Sequence, residues 1–127
     1  MAIRHYDPFE PPDPGQWLAL DESERIKLVL DYHVGAQIEL PNARVHAVVH
    51  VAVESQIALG DETPVREKLR RLMAQGLDRH DAIHAIGWVL TDHLYGALRE
   101  GEAADNLTDR YYAALKRLNS RRWRRLR

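Results

Sequence analysis

The stretch from Ala43 to Leu59 decides the fold class. It reads Ala43-Arg44-Val45-His46-Ala47-Val48-Val49-His50-Val51-Ala52-Val53-Glu54-Ser55-Gln56-Ile57-Ala58-Leu59. A run this rich in valine suits a strand by propensity alone. Its polar residues argue otherwise: His46, His50 and Glu54 recur at every fourth position, not every second. The segment is therefore read as a helix. Apolar side chains surround it on nearly all sides, so it should be central and covered by other helices. Asn42 caps its start and Gly60 stops its end. A chain of 127 residues is one domain by length, and a hydrophobic fraction of 45% supplies the cover.

Four more helices follow from the same reasoning. Asp21 caps a segment whose Ile26, Val29, Leu30 and His33 form one apolar stripe, with Gly35 near its end and Gln37 to Pro41 as a short link. Thr63 caps the next helix, with Pro64 in its first turn and Val65, Leu69, Leu72 and Met73 inward; Gly76 ends it. Asp78 caps a long helix that reaches Glu100 before Gly101, with Ile83, Ile86, Leu90, Leu94 and Ala97 as its stripe. Gly87 and Gly96 inside it cost about 1 kcal/mol each relative to alanine, which close packing or a bulky neighbour should offset. A last helix starts near Asn106 or Thr108 and carries Tyr111, Tyr112, Leu115, Leu118 and Trp123. Ahead of all these, Pro8, Pro11, Pro12 and Pro14 exclude a helix or central strand over residues 1–15. The expected fold is all-α: a single-domain up-down bundle of about five helices over 16–127, with an extended Pro-rich N-terminal arm over 1–15. In that arrangement the second and fourth helices run the same way.

The chemistry concentrates in two His-x3-His pairs. His46 and His50, with Glu54 a turn further on, face His80 and His84 of the long helix. Four imidazoles and a carboxylate at one level make a ligand set for a transition metal ion, zinc or iron. The metal ligands expected from spacing are thus His46, His50, Glu54, His80 and His84. Asp81 or Asp78 could orient a ligand ring through its second nitrogen. The alternative is a structural hydrogen-bond network without metal, since His-x3-His also arises by chance and buried histidines serve as core residues. His33 and His93 are read as structural or exposed, with His33 as a further ligand the lesser option, and His5 as incidental. Glu-x-x-His is absent, which disfavours a ferritin-like di-iron oxidase. A hemerythrin-like site is chemically closer, though its full motif is not matched. His-Glu-x-x-His, the nucleophile elbow, the P-loop and Gly-x-Gly are absent too. A metal with an open position and Glu54 as base could activate water. A sensor, a carrier or a structural metal site fits as well, so no reaction is assigned.

Charge is uneven although the net value is -1. The N-terminal stretch is acidic, and the tail carries Lys116, Arg117, Arg121, Arg122, Arg124, Arg125 and Arg127 with no acid after Asp109. The tail therefore suits nucleic acid or an acidic partner, with Trp123 free to stack on a base. The competing reading is a basic helix end that suits its own dipole and solubility. The arm either lies over its own bundle or joins a homo-oligomer. No apolar run approaches the ~20 residues of a membrane span, and the first residues lack the apolar core of a signal peptide. Cysteine is absent, so disulfides and thiolate chemistry are excluded; a cytoplasmic location is the default expectation.

From about Ala43 to Arg99 the chain resembles a family of small bacterial proteins classed as a domain of unknown function. The matching stretches are His46-x3-His50-x3-Glu54-x-Gln56-Ile57, then Pro64-Val65-x-Glu67, then Leu72-x3-Gly76-Leu77-x2-His80-x-Ala82-x-His84-Ala85-Ile86-Gly87. The resemblance implies a bacterial helical protein and carries no activity with it.

Overall fold

A computed structural model describes residues 3–35, 42–100 and 104–126. The fold is all-α. Its helices are α1 (Pro14–Ala19), α2 (Glu22–Gly35), α3 (Ala43–Ala58), α4 (Val65–Ala74), α5 (Arg79–Glu100), α6 (Ala104–Arg117) and α7 (Ser120–Leu126), with a 3-10 turn at Gly60–Glu62. Among the described residues there is no strand, and no helix is long and apolar enough to cross a membrane.

The start and stop signals act through hydrogen bonds. Asn42 Oδ1 accepts the Val45 N–H at 3.2 Å to open α3, and Asp78 Oδ1 accepts the Asp81 N–H at 2.7 Å to open α5. Asp21 and Glu24 form a reciprocal capping box on α2: Glu24 N–H donates to Asp21 Oδ1 at 2.8 Å and Asp21 N–H to Glu24 Oε1 at 3.3 Å. Gly60 and Gly76 take φ values of +66° and +102°, which let the chain turn out of α3 and α4 at little cost. The expected link Gln37 to Pro41 and the expected stop at Gly101 lie outside the described residues.

Helix α3 packs against α1, α2, α4 and α5. Its two sides feed separate apolar clusters. Val51 and Ala47 join Tyr6, Trp17, Ile26 and Val29 on one side. Val53 joins Leu72, Ile83, Ile86, Leu115 and Trp123 on the other. The central position read from its apolar circumference is the one it occupies.

Three expectations change. Helix α1 begins at Pro14, inside the stretch read as extended, because proline is tolerated in a first turn and Asp13 Oδ2 accepts the Gln16 N–H at 2.9 Å. The last helix is two: Leu118 turns inward, and Asn119 Oδ1 caps α7 through the Arg122 N–H at 2.8 Å. Helices α3 and α5 run in opposite directions, not the same one. Glu54 near the end of α3 meets Arg79 at the start of α5, while Val45 near the start of α3 shares a surface hollow with Leu94 and Leu98. Gly87 makes this contact close: a Cβ there would lie 3.1 Å from Val49 Cγ1. Nothing in the structure explains glycine at position 96.

The arm lies on its own chain. Tyr6 and Trp17 are buried, the Trp17 indole N–H donates to Ser55 Oγ at 3.1 Å, and Arg79 Nη1 donates to the Pro8 carbonyl at 3.0 Å.

Candidate metal centre

Where α2, α3 and α5 cross, five imidazoles meet. Because α3 and α5 are antiparallel, the pairs interleave in reverse order: His46 lies beside His84 and His50 beside His80, with ring centroids 5.0 and 5.4 Å apart. Helix α2 adds His33, 4.9 Å from His46 by the same measure. His33 sits on the buried Ile26–Val29 stripe, and that placement was the sequence signal for its inward position.

His33, His50, His80 and His84 each bring a ligand-type nitrogen within 4.8 Å of the others. In a tetrahedral zinc site with bonds of ~2.0–2.1 Å, such nitrogens lie about 3.3 Å apart. His46 stands next to this group and outside it.

Hydrogen bonds fix two tautomers. His33 Nδ1 lies 2.8 Å from the Val29 carbonyl, which only accepts, so Nδ1 carries the proton and Nε2 the lone pair. His50 Nε2 lies 2.7 Å from Tyr6 Oη, and Tyr6 donates its own proton to Glu54 Oε2. Hence His50 donates from Nε2 and keeps its lone pair on Nδ1. That nitrogen is buried without a partner, as are Nε2 of His46, His80 and His84.

Glu54 takes another part. Both its oxygens accept from Arg79, at 2.7 Å from Nη1 and 2.8 Å from Nη2, and Oε2 also receives Tyr6. Side-chain exposure is 4% for Arg79 and 1% for Glu54. Burial pulls the Arg79 guanidinium pKa down, but the hydrogen bonds and charge of Glu54 outweigh this and leave it raised. Burial and then the charge of Glu54 push the Tyr6 hydroxyl far up, so it stays a proton donor. Arg79 does not stand out in the sequence, where an arginine in a first turn is an ordinary surface residue; Tyr6 reads there as an anchor of the arm, not as a partner of Glu54.

Four of the rings, His46, His50, His80 and His84, are pushed towards the neutral form. Burial first, then the neighbouring rings His84 and His33, push His46 down to about 4. Burial, then His80 and His33, do the same to His84, also to about 4. His50 is pushed well below its ordinary value by burial and then by the other rings. His80 is lowered by burial and His33 against the opposing charges of Asp78 and Asp81. Neutral imidazole is the form that binds metal. Asp78 Oδ1 serves the α5 cap, and Asp81 Oδ1 accepts the Trp123 indole N–H at 3.0 Å.

The remaining histidines are elsewhere. His93 Nδ1 donates to the Val89 carbonyl at 2.8 Å, and His5 is exposed on the arm. In the tail Trp123 is buried in the core, so its indole is not available to stack on a base, while Arg121, Arg122, Arg124 and Arg125 are exposed. Arg127 lies outside the described residues.

Fold and site together define an all-α protein with a buried imidazole cluster. The chain belongs to the family described as Domain of unknown function (DUF1841), whose model matches residues 19–117. That span includes all five clustered histidines, Glu54 and Arg79; Tyr6 lies before it. Comparison with curated proteins and with solved structures finds no match.

Proposed function

We propose that this protein binds one transition metal ion, zinc or iron, at the crossing of α2, α3 and α5. His33, His50, His80 and His84 are the ligands, and His46 is a fifth imidazole at the edge of the site. Glu54 acts through Tyr6: it orients the His50 ring as a carboxylate in the outer shell of a metal site does.

One observation carries this reading. Four buried imidazole nitrogens have no hydrogen-bond partner, and they belong to the same cluster. A buried polar atom without a partner costs roughly 1–3 kcal/mol. A hydrogen-bond network built for stability would leave few such atoms. A metal ion satisfies three of them together, those of His50, His80 and His84, and leaves His46 Nε2 beside it. Ligands drawn only from nitrogen suit zinc or ferrous iron.

The test is metal content and metal-dependent stability. Protein purified without oxygen should carry about one equivalent of metal, or take up one of added zinc or ferrous iron. The ion should raise the melting temperature of the wild type and leave that of His84→Ala nearly unchanged. No bound metal and no shift with either ion would end the proposal.

A further inference from the structure

On the metal-binding reading, on which this inference rests, an ion held by His33, His50, His80 and His84 is held by neutral rings, so a dication keeps its full +2. Glu54 cannot balance it, because its charge is already matched by Arg79 in a bidentate pair. Asp78 and Asp81 act on His80 and His84 through space and stand outside the ligand group. A buried charge left uncompensated is costly. Among the described residues no carboxylate is left to balance the ion, and the centre therefore calls for a further anion.

The surface offers one route to it. A groove of about 410 Å³ runs between α3 and α5 and ends at His46, His50 and His84. Ile83, Val49 and Gly87 line it, with Val45 and Trp88 exposed at its side. A second hollow of about 440 Å³ continues it, sharing Val45, Val49 and Thr91 and reaching Leu94 and Leu98. Among the described residues no acidic one lines either part. His46 is placed to meet a ligand in the groove, because its Nε2 is buried, unpartnered and at the inner end. A largely apolar groove in this size range with a few polar groups, here the histidines with Asn42, Thr91 and Arg44, is how small-molecule sites are built.

We infer that the groove binds an organic monocarboxylate with an apolar body. The carboxylate lies between the metal and the His46 ring, one oxygen towards each, and the body lies along Val45, Val49 and Trp88. Cobalt(II) in place of the native ion reports its coordination through visible absorption bands. Cobalt-loaded protein is titrated with octanoate, acetate and 1-octanol. Octanoate and acetate should both perturb the bands, octanoate with half-saturation at least about tenfold lower, since its chain is taken out of water. Octanol should leave the bands unchanged. Val45→Trp, which fills the mouth of the groove, should remove the octanoate advantage and keep both the cobalt and the acetate response. Equal half-saturation for octanoate and acetate, or no response to either, overturns the inference and leaves the metal site standing. Failure to form any imidazole-bound cobalt species overturns the metal reading, and this inference with it.

Discussion

His50 and Glu54 lie one turn apart on the same face of α3, 3% and 1% exposed, yet their surroundings are opposites. Glu54 has every need met, with two bonds from Arg79 and one from Tyr6. His50 has one nitrogen in that network and the other without a partner, in a cluster where three more rings share the same condition. The first region is complete as folded. The second leaves buried nitrogens without hydrogen-bond partners, the condition from which the metal-binding proposal starts. On the proposed reading, stability and function occupy adjacent turns of one helix.

The contrast breaks most visibly at Arg79. Arg79→Ala leaves a buried carboxylate unpaired and should cost about 3–5 kcal/mol in urea unfolding, with chelator present or not. His84→Ala in chelator should cost far less, because the buried Nε2 it removes makes no hydrogen bond. Similar losses in the two variants would erase the distinction between the regions.

Metal should reverse the order of importance. With free ion a thousandfold above its dissociation constant, binding stabilises the wild type by about 4 kcal/mol. His84→Ala and His50→Ala should lose most of that increment, read as the difference between melting curves with ion and with chelator.

Acid should weaken the metal-free cluster. His46 and His84 titrate near 4 in the folded protein, below the reference of ~6.5 that holds unfolded, so the unfolded chain binds more protons in between. Their contribution is fully present above about pH 6.5 and is lost as the pH falls towards 4. The slope is at most about 1.4 kcal/mol per pH unit for each ring, and less where solvent screens them. Urea midpoints at pH 7, 6 and 5 should fall in order; His84→Ala should flatten the trend.

Tyr6→Phe sharpens the comparison by cutting the link between the regions. It should cost about 1 kcal/mol in stability. Metal affinity should fall about 10- to 100-fold, as for other outer-shell partners of ligand histidines. The smallest effect belongs to His5→Ala: an exposed arm residue should change stability by less than about 0.5 kcal/mol and metal content not at all.

Much of the fold was legible because its signals are local. Asn42, Asp78, Gly60 and Gly76 mark helix ends by chemistry that acts within a few residues, and the spacing of His46, His50 and Glu54 names the helix between two of them. The direction of α5 relative to α3 was not legible, since it depends on how the intervening α4 and its flanking turns lead the chain back. The break at Leu118–Asn119 had a signal, a capping residue before Ser120, that the continuous apolar pattern concealed. The two His-x3-His pairs could be read from spacing, while the place of His33 beside them was only the lesser option. The relation of the cluster to Glu54 could not be read, because Arg79 and Tyr6 come from distant parts of the chain and reach the carboxylate only in the folded state.

The chain of bonds from His50 through Tyr6 to Glu54 has a polarity. A carboxylate can only accept, so each hydrogen in the chain points towards Glu54, and the His50 lone pair points the other way. The orientation of that lone pair is thus written two links away, in the identity of one atom of residue 54. Glu54→Gln keeps shape and volume but puts an amide that can donate where only an acceptor stood. The chain can then run backwards: the amide donates to Tyr6, Tyr6 to His50 Nε2, and the ring proton moves to Nδ1. A substitution that leaves the outline of the core intact would turn the inward face of His50 from a base into an acid.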